Sequence, residues 1–471
     1  MKRGILIGFV ASLLIPVLIV PVRAQEYSFT YTCEDQGDIM HPDSLGLFYS
    51  YLTNTGAEAD TYQVVIDKDL PVPWLSIACL NDEICFLDQI AVPLESGSSM
   101  MISVKITPLG FPGAGTVTMR VTSRGDTTQA AALPMTAITN TGVDVLIVDD
   151  DGDQVYETYY QAALDSAGKS HGTLDKATAV IDADRLAPFS AVMWFTGEAA
   201  PALTAEDRGA ISGYLDGGGR LFISGQDIAS ALCDPAGGES DSSTVAWFEN
   251  TFSAAYEGEY DGTLAVGGAA GSSISDGLTL SLSGGDGAGN QAAPDILDPL
   301  FGATAFACPV FHYEGFPDGP GMAAFTISTG TYRVAYLGFG FEAIDNAADR
   351  ELLMDRIMDY FSGPTRTEDD PAAGALPRDL SLSPGYPNPF NAVTALAIDV
   401  PGDEPATVTL RIYNVLGQEV RTLLDGPVLP GSRVLFWDGT DNAGAGLASG
   451  VYFARMASGT FSQTRKIVLT R

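Results

Sequence analysis

Two short runs hold the side chains with which this chain could do chemistry. The first is Asp149-Asp150-Asp151-Gly152-Asp153, carboxylates placed at the end of the apolar run Val145-Leu146-Ile147-Val148. Adjacent carboxylates at a strand end point towards a crevice and offer hard oxygen ligands, which suit calcium or magnesium. Asp227 and Glu342 follow two other strand-like runs, so the candidate cation set is Asp149, Asp150, Asp151, Asp227 and Glu342, with Ca2+ as the ion. An EF-hand is a poor match: counting from Asp149, Gln154 stands where the sixth-position Gly belongs and Tyr160 where the twelfth-position Glu belongs. The competing reading is helix capping, in which Asp151 or Asp153 accepts amide hydrogen bonds and favours the positive end of the helix that follows.

The second run is Ser224-Gly225-Gln226-Asp227, directly after the buried-strand pattern Arg220-Leu221-Phe222-Ile223. A sharp strand-to-helix turn exposes a side chain beyond the carboxyl ends of parallel strands, where open α/β sheets bind ligands. Ser224 would need a base within hydrogen-bond reach, and the chain offers only His41, His171 and His312. His312 and Glu314 stand two apart but precede two further strand-like runs. No triad is expected, and Ser224 reads as a structural residue in a tight turn. Gly217-Gly218-Gly219 precedes a strand, whereas a dinucleotide loop must follow one. Trp74, Trp194, Trp247 and Trp437 read as packing residues. No catalytic or cofactor-binding residue is assigned.

These runs need a sheet to position them, and the middle of the chain has its rhythm. Apolar runs at 145–148, 191–195, 220–224 and 334–341 alternate with helical patterns. One such pattern carries Tyr156, Tyr160, Ala163 and Ala167, one opens on the capping pair Thr204 and Asp207, and the last aligns Leu353, Ile357, Tyr360 and Phe361. Strand-helix alternation demands parallel pairing, so residues 143–362 are expected to form a doubly wound α/β domain. Residues from about 233 to 330, rich in Gly and Ser, read as an insertion with strand pairs of its own.

Before this segment, residues 25–140 alternate apolar and polar positions, as in Tyr62-Gln63-Val64-Val65-Ile66 and Thr116-Val117-Thr118-Met119-Arg120-Val121. That is the pattern of half-buried strands in an immunoglobulin-like β-sandwich. Residues 363–380, with Pro364, Pro371 and Pro377 among charged residues, read as a linker. Residues 381–471, with the strict alternation of Thr407-Val408-Thr409-Leu410-Arg411-Ile412, read as a second, smaller sandwich. Three domains suit the length.

Lys2 and Arg3, the apolar run from Ile5 to Val20 and the small-residue site Val22-Arg23-Ala24 before Gln25 read as a secretory signal covering residues 1–24, with cleavage between Ala24 and Gln25. The run is broken by Pro16 and shorter than the roughly 20 residues of a membrane span. No transmembrane span is expected in the mature chain. Five cysteines in an exported chain favour disulfides. Cys79 and Cys85 enclose a polar turn and are expected to pair; a weaker pairing joins Cys233 to Cys308 and leaves Cys33 over. A net charge of −35 repels a phosphate backbone and argues against nucleic-acid binding.

Tyr386-Pro387-Asn388-Pro389-Phe390-Asn391, then Trp437-Asp438-Gly439, Gly450-Val451-Tyr452 and Lys466 together resemble the type IX secretion C-terminal sorting domain. The same Trp-Asp-Gly turn is similar to the immunoglobulin-like domain of the flagellar hook cap. The sorting resemblance implies passage through the periplasm, recognition by type IX secretion machinery, and removal of the domain in the linker on attachment to surface lipopolysaccharide. The middle domain resembles the glutamine-amidotransferase-like flavodoxin folds, with Ser224 where that family keeps its Cys nucleophile. The first domain resembles accessory modules found beside catalytic domains of secreted bacterial proteins.

The expectation is a secreted or outer-surface protein of a Gram-negative-type bacterium that binds an extracellular ligand or accompanies other activities without catalysing a reaction. The alternatives are a metal-dependent hydrolase using the acidic strand ends, and an adhesion or surface-layer component.

Overall fold

The computed structural model describes residues 25–152, 154–269, 272–300, 307–313, 321–329, 331–362, 380–382, 385, 388–390, 394–401, 406–428, 431–442 and 444–470. The expected signal segment with Ala24, Glu314, the linker before Leu380, and Tyr386, Pro387 and Asn391 of the C-terminal motif lie outside the described residues. The chain is multidomain and mostly β, with 45% of the described residues in strands and 16% in helices. No described helix is long and apolar enough to cross a membrane.

Alternation makes the first sandwich. In strand Gly46–Asn54, Phe48, Ser50 and Leu52 point inward while Leu47, Tyr49 and Tyr51 stay exposed, the two-residue period of a sheet with one buried face. Two five-stranded sheets result, one ordered Phe29–Cys33, Gly46–Asn54, Ser99–Thr107, Leu75–Leu80, Ile84–Phe86, the other Gly37–Met40, Ala130–Thr139, Ala114–Ser123, Asp60–Asp69, Gln89–Leu94. Tyr62, Val64, Val92, Ile102, Val104, Val117 and Met119 are fully buried between them. Each contributes about 1.5–3 kcal/mol through the area it removes from water. Two of the strands, Gly37–Met40 and Ile84–Phe86, too short to show a period, sit at sheet edges.

Cys79 and Cys85 face each other across the hairpin of Leu75–Leu80 and Ile84–Phe86 and are joined by a disulfide. Cys33, Cys233 and Cys308 are free thiols. The expected Cys233–Cys308 bond is not formed: Cys233 ends helix Ile228–Cys233 and packs on the hydrophobic core, whereas Cys308 is exposed on strand Ala307–Tyr313.

In the middle domain five strands pair in parallel, numbered here along the chain: first Val145–Asp149, second His171–Asp175, third Ala191–Phe195, fourth Arg220–Ser224, fifth Arg333–Leu337. Their order across the sheet is second, first, third, fourth, fifth. The first, third, fourth and fifth, covered on both faces, read as continuous apolar runs, whereas the second, at the sheet edge, alternates buried and half-buried positions. Leu146, Val148 and Trp194 enter one core with Ile211 and Leu215 of helix Ala205–Asp216. Val145, Ile147, Met193 and Phe195 enter the other with Tyr160 of helix Glu157–Ser166 and Leu353 and Ile357 of helix Ala347–Ser362.

Residues 233–330 form strand pairs of their own, Ala254–Glu259 with Asp295–Pro299, Ala265–Gly268 with Thr279–Ser281 and Ala307–Tyr313 with Met322–Ser328. They do not stand apart from the main sheet but extend it. Strand Met322–Ser328 pairs antiparallel with the fifth strand, and Ala307–Tyr313, Ala265–Gly268 and Thr279–Ser281 continue outward from it. The fifth strand's free edge would otherwise expose a row of unpaired backbone groups.

The first sandwich lies against the second strand of this sheet. Arg185 pairs with Asp35 at 2.6 Å, the Gln36 amide donates to the Thr178 carbonyl at 2.9 Å, and a Cβ on Gly172 would stand 2.7 Å from the Ile138 side chain. Glycine there permits the close approach. The C-terminal sandwich sets a sheet of Glu419–Val428, Ala406–Asn414, Gly450–Ser458 and Phe461–Leu469 against one of Ser381–Leu382, Thr394–Val400 and Gly431–Trp437.

Candidate functional site

At the end of the first parallel strand, alternation divides the three aspartates between the faces of the sheet. Asp150 continues the Leu146 and Val148 side. It is 8% exposed, receives Lys176 Nζ at 3.0 and 3.1 Å on its two oxygens, and accepts from Trp194 Nε1 at 3.1 Å. Lys176 also reaches Asp207 at 2.8 Å. Burial raises the Asp150 carboxyl while Lys176 opposes the rise. Asp150 is thus the anchor of a buried ion triad and stands apart from the expected cation set.

Asp149 and Asp151 turn to the opposite side, where Glu157 joins them from the first turn of helix Glu157–Ser166. One carboxylate oxygen from each of the three lies within 4.8 Å of the other two. Asp151 is 3% exposed; its Oδ2 accepts the Tyr156 amide at 3.0 Å, and its Oδ1 has no hydrogen-bond partner. Glu157 Oε2 is likewise buried and unpartnered. Burial, then the negative charges of Asp151 and Glu157, push the Asp149 carboxyl up to about 8. Burial also raises Glu157, with Asp151 and Asp175 adding to it. The expected capping by Asp151 is not formed, since the helix starts on Tyr156 with no side-chain cap bond; Asp151 holds only the Tyr156 amide just ahead of the helix while gathering with Asp149 and Glu157. Gly197, just past the third strand, has φ +49°, and a Cβ there would meet Asp151 Cβ at 2.7 Å.

Glu342 belongs to a separate network. It is fully buried in the short turn Phe341–Ala343 and accepts from Tyr160 Oη at 2.8 Å and Asn290 Nδ2 at 2.7 Å. Tyr160 also lies 2.6 Å from Ser224 Oγ. Burial raises the Glu342 carboxyl against the lowering pull of Asn290 and Tyr160. A Cβ on Gly340 would fall 2.0 Å from Glu342 Oε1, so the loop closes around this carboxylate only without a side chain there.

Asp227 is half-buried at the start of helix Ile228–Cys233 and makes no capping bond. Its carboxyl is raised by burial and by the charges of Glu259 and Glu198. The amides of Ala229 and Ser230 donate instead to Asp295, at 2.7 and 3.1 Å, a fully buried carboxylate from strand Asp295–Pro299. Asp227 and Glu342 are accordingly corrected out of the cation set, and Glu157 enters it.

Ser224 is 1% exposed. Of the histidines, His41 pairs with Asp43 at 3.6 Å on the first sandwich, and His171 meets Asp165 at 3.2 Å at the amino end of the second strand. His312 sits in strand Ala307–Tyr313 with Gly267 and Met322 as register partners.

In the C-terminal sandwich Phe390, Trp437, Gly439 and Tyr452 of the motif are buried, Gly450 and Val451 are half-buried, and Asn388, Pro389, Asp438 and Lys466 are exposed. Trp437 is fully buried, 5.3 Å from the Phe390 ring and 4.9 Å from Tyr452, and its Nε1 donates to the Thr440 carbonyl at 2.9 Å. Asp438 Oδ1 accepts from Thr440 N at 3.0 Å and Oγ1 at 2.6 Å, and Gly439 has φ +69°. Asn388 clamps the last strand, donating to the Lys466 carbonyl at 2.8 Å and accepting the Val468 amide at 2.8 Å. The exposed feature is the turn after Ala406–Asn414. There Asn414 Oδ1 accepts the Leu416 and Gln418 amides, both at 3.0 Å, leaving Val415 67% and Leu416 79% exposed.

Fold and site define a multidomain, mostly β protein that ends in an Ig-like domain. Residues 387–460 match the FlgD Ig-like domain. No curated protein matches the chain. Among solved structures, the chain is similar to a PapD-like domain of human CEP192 (14% identity, 28% of this chain and 94% of that one, TM-score 0.16). It is also similar to a FixG-related protein from Vibrio parahaemolyticus (9%, 24% and 97%, TM-score 0.17). A family 123 glycoside hydrolase from Clostridium perfringens shows 7% identity over 29% of this chain and 32% of its own, with TM-score 0.19. At such scores none of the three bears on what this chain does.

Proposed function

We propose that the chain is an exported binding or accessory protein, secreted or held at the outer surface, with no catalytic activity of its own. The middle domain is read as a flavodoxin-like fold of amidotransferase-like shape, a reading supported by the strand order second, first, third, fourth, fifth. The observation that carries the non-catalytic assignment is the state of Ser224. Where the fold it resembles keeps a nucleophile, this hydroxyl is buried and held by Tyr160, itself tied to the Glu342 carboxylate. A nucleophile needs a base and access to substrate; Ser224 here closes a polar network instead.

The C-terminal Ig-like domain is read as a type IX sorting domain acting after folding, through turns that a rigid sandwich holds in place. The turn at Asn414–Gln418 fits that role, since its side-chain cap fixes the backbone while two apolar side chains face outward. Partners on this reading are the secretion machinery, surface lipopolysaccharide after processing, and an extracellular ligand in the middle-domain crevice. Deleting residues 380–471 in a bacterium that carries type IX machinery tests it: the truncated chain is expected to stay in the periplasm, and its normal display at the surface would refute the sorting role. A metal-dependent hydrolase is the second reading, favoured by the convergence of Asp149, Asp151 and Glu157. Metal-dependent turnover of an ester or peptide substrate by the purified chain, lost in Glu157→Gln, would select it.

A further inference from the structure

We propose that Asp149, Asp151 and Glu157 form a calcium site at the crevice where the order of the parallel strands reverses. The inference goes beyond the binding role proposed above, which requires no ion. In open α/β sheets ligands gather outside the carboxyl ends of the strands at such a switch point. Here it falls between the first and third strands, and both supply the walls: Asp149 ends the first, Asp151 follows it, and Gly197 after the third packs on Asp151.

Three features point to a cation. The three ligand oxygens lie within 4.8 Å of one another, about the span across a calcium shell with Ca–O bonds of about 2.3–2.6 Å. Asp151 is 3% exposed and its Oδ1 is buried without a hydrogen-bond partner, as is Glu157 Oε2. A buried carboxylate oxygen without a partner is costly, and a bound cation removes that cost. Finally, among the described residues no Lys or Arg pairs with any of the three; the nearby Lys176 is committed to Asp150 and Asp207 across the sheet. The donors are all hard oxygens, which favours calcium or magnesium over zinc or copper, and three protein carboxylates suit calcium, since magnesium is usually held by one or two carboxylates and keeps several waters.

The test is calorimetric titration of the EDTA-stripped full chain with calcium chloride and, separately, magnesium chloride. One saturable calcium site is expected in the micromolar to low millimolar range, the span of sensor and extracellular sites, roughly 10⁻⁷ to 10⁻³ M. Its affinity should fall at least about tenfold in Glu157→Gln and in Asp149→Asn, a loss of about 1.4 kcal/mol or more, and stay unchanged in Asp227→Asn. Glu157 is only partly buried at a helix start, so its variant should match the parent's melting temperature in EDTA while losing the rise that calcium gives the parent. No saturable binding, or binding equally tight in Glu157→Gln and Asp149→Asn, overturns the site and assigns calcium uptake to the general acidity of the surface.

Discussion

Replacing Lys176 by Met probes the triad that holds the tip of the first parallel strand. Lys176 Nζ lies 3.0 Å from Asp150 and 2.8 Å from Asp207, whose residues are 8% and 3% exposed. Burial alone would lower the Lys176 ammonium, yet the hydrogen bonds to Asp207 and Asp150 outweigh it and raise it. Removing one partner of a buried ion pair costs about 3–5 kcal/mol, because a charge remains without compensation. Here both carboxylates keep other donors, Trp194 Nε1 for Asp150 and Thr204 N and Oγ1 for Asp207, which places the loss at the lower end, about 3 kcal/mol. For a domain of this size each kcal/mol moves the melting temperature by about 2–4 °C, so the shift is about 6–12 °C. Differential scanning calorimetry on the full chain at pH 7 should show one transition displaced by that amount and the transitions of the two sandwiches in place. Adding Asp150→Asn to Lys176→Met should recover part of the loss by removing the stranded charge. A loss under about 1 kcal/mol, the range of an exposed pair, would refute the buried-triad account and reopen Asp150 as a crevice ligand.

Three further outcomes follow. Burial raises the folded-state pKa of Glu342, so the folded chain holds a proton that the unfolded chain releases; stability falls as pH rises from the unfolded carboxyl value towards the folded one. Glu342→Gln should therefore flatten the loss of melting temperature as pH rises above about 4.3, where an unperturbed Glu titrates, and an unchanged slope would contradict this. Opening Cys79–Cys85, which spans a sequence separation of 6, should cost the first sandwich about 2 kcal/mol on the loop-entropy account, read as a urea-midpoint shift on adding reductant; no shift would show the hairpin self-sufficient. Trp437→Ala should cost about 3–5 kcal/mol through loss of a buried aromatic, whereas Leu416→Asp at an exposed turn should stay within about 0.5 kcal/mol. If the turn is what secretion machinery reads, both variants lose export but only Trp437→Ala loses the fold; full export of Leu416→Asp would remove the turn from that role.

Four strands of the parallel sheet were legible because they are short apolar runs, while the second, His171-Gly172-Thr173-Leu174-Asp175, has no such run and was missed. The Thr204–Asp207 capping box was legible because it is local: Asp207 N donates to Thr204 Oγ1, and Asp207 Oδ2 accepts the Thr204 amide. The acidic run was legible as a place but not as a set. Adjacent residues on an extended chain face opposite sides, which sends Asp150 to Lys176 and keeps Asp149 with Asp151. Glu157 had a local signal, an acidic residue in the first turn of the helix that the run introduces, and was missed because acid there usually answers the helix dipole. Asp295 had none: its capping of Ala229 joins residues 66 apart, a pairing that only the assembled sheet creates. Residues 233–330 were legible as strand pairs but not as an extension of the main sheet, because only Met322–Ser328 meets the fifth strand and that contact appears only in the assembled sheet. In the C-terminal domain the aromatic members of the motif, Phe390, Trp437 and Tyr452, pack together in the core, so that part of it marks a fold more directly than an address.

The most direct measurement of the sorting claim is transfer. Residues 363–471, placed behind a signal peptide and a soluble periplasmic reporter in a bacterium with type IX machinery, should carry the reporter to the surface, where externally added protease reaches it. Leu416→Asp in the same fusion should leave the reporter folded in the periplasm. A fusion that folds, reaches the periplasm and remains protected there, while the full chain is displayed by the same cells, would contradict the account.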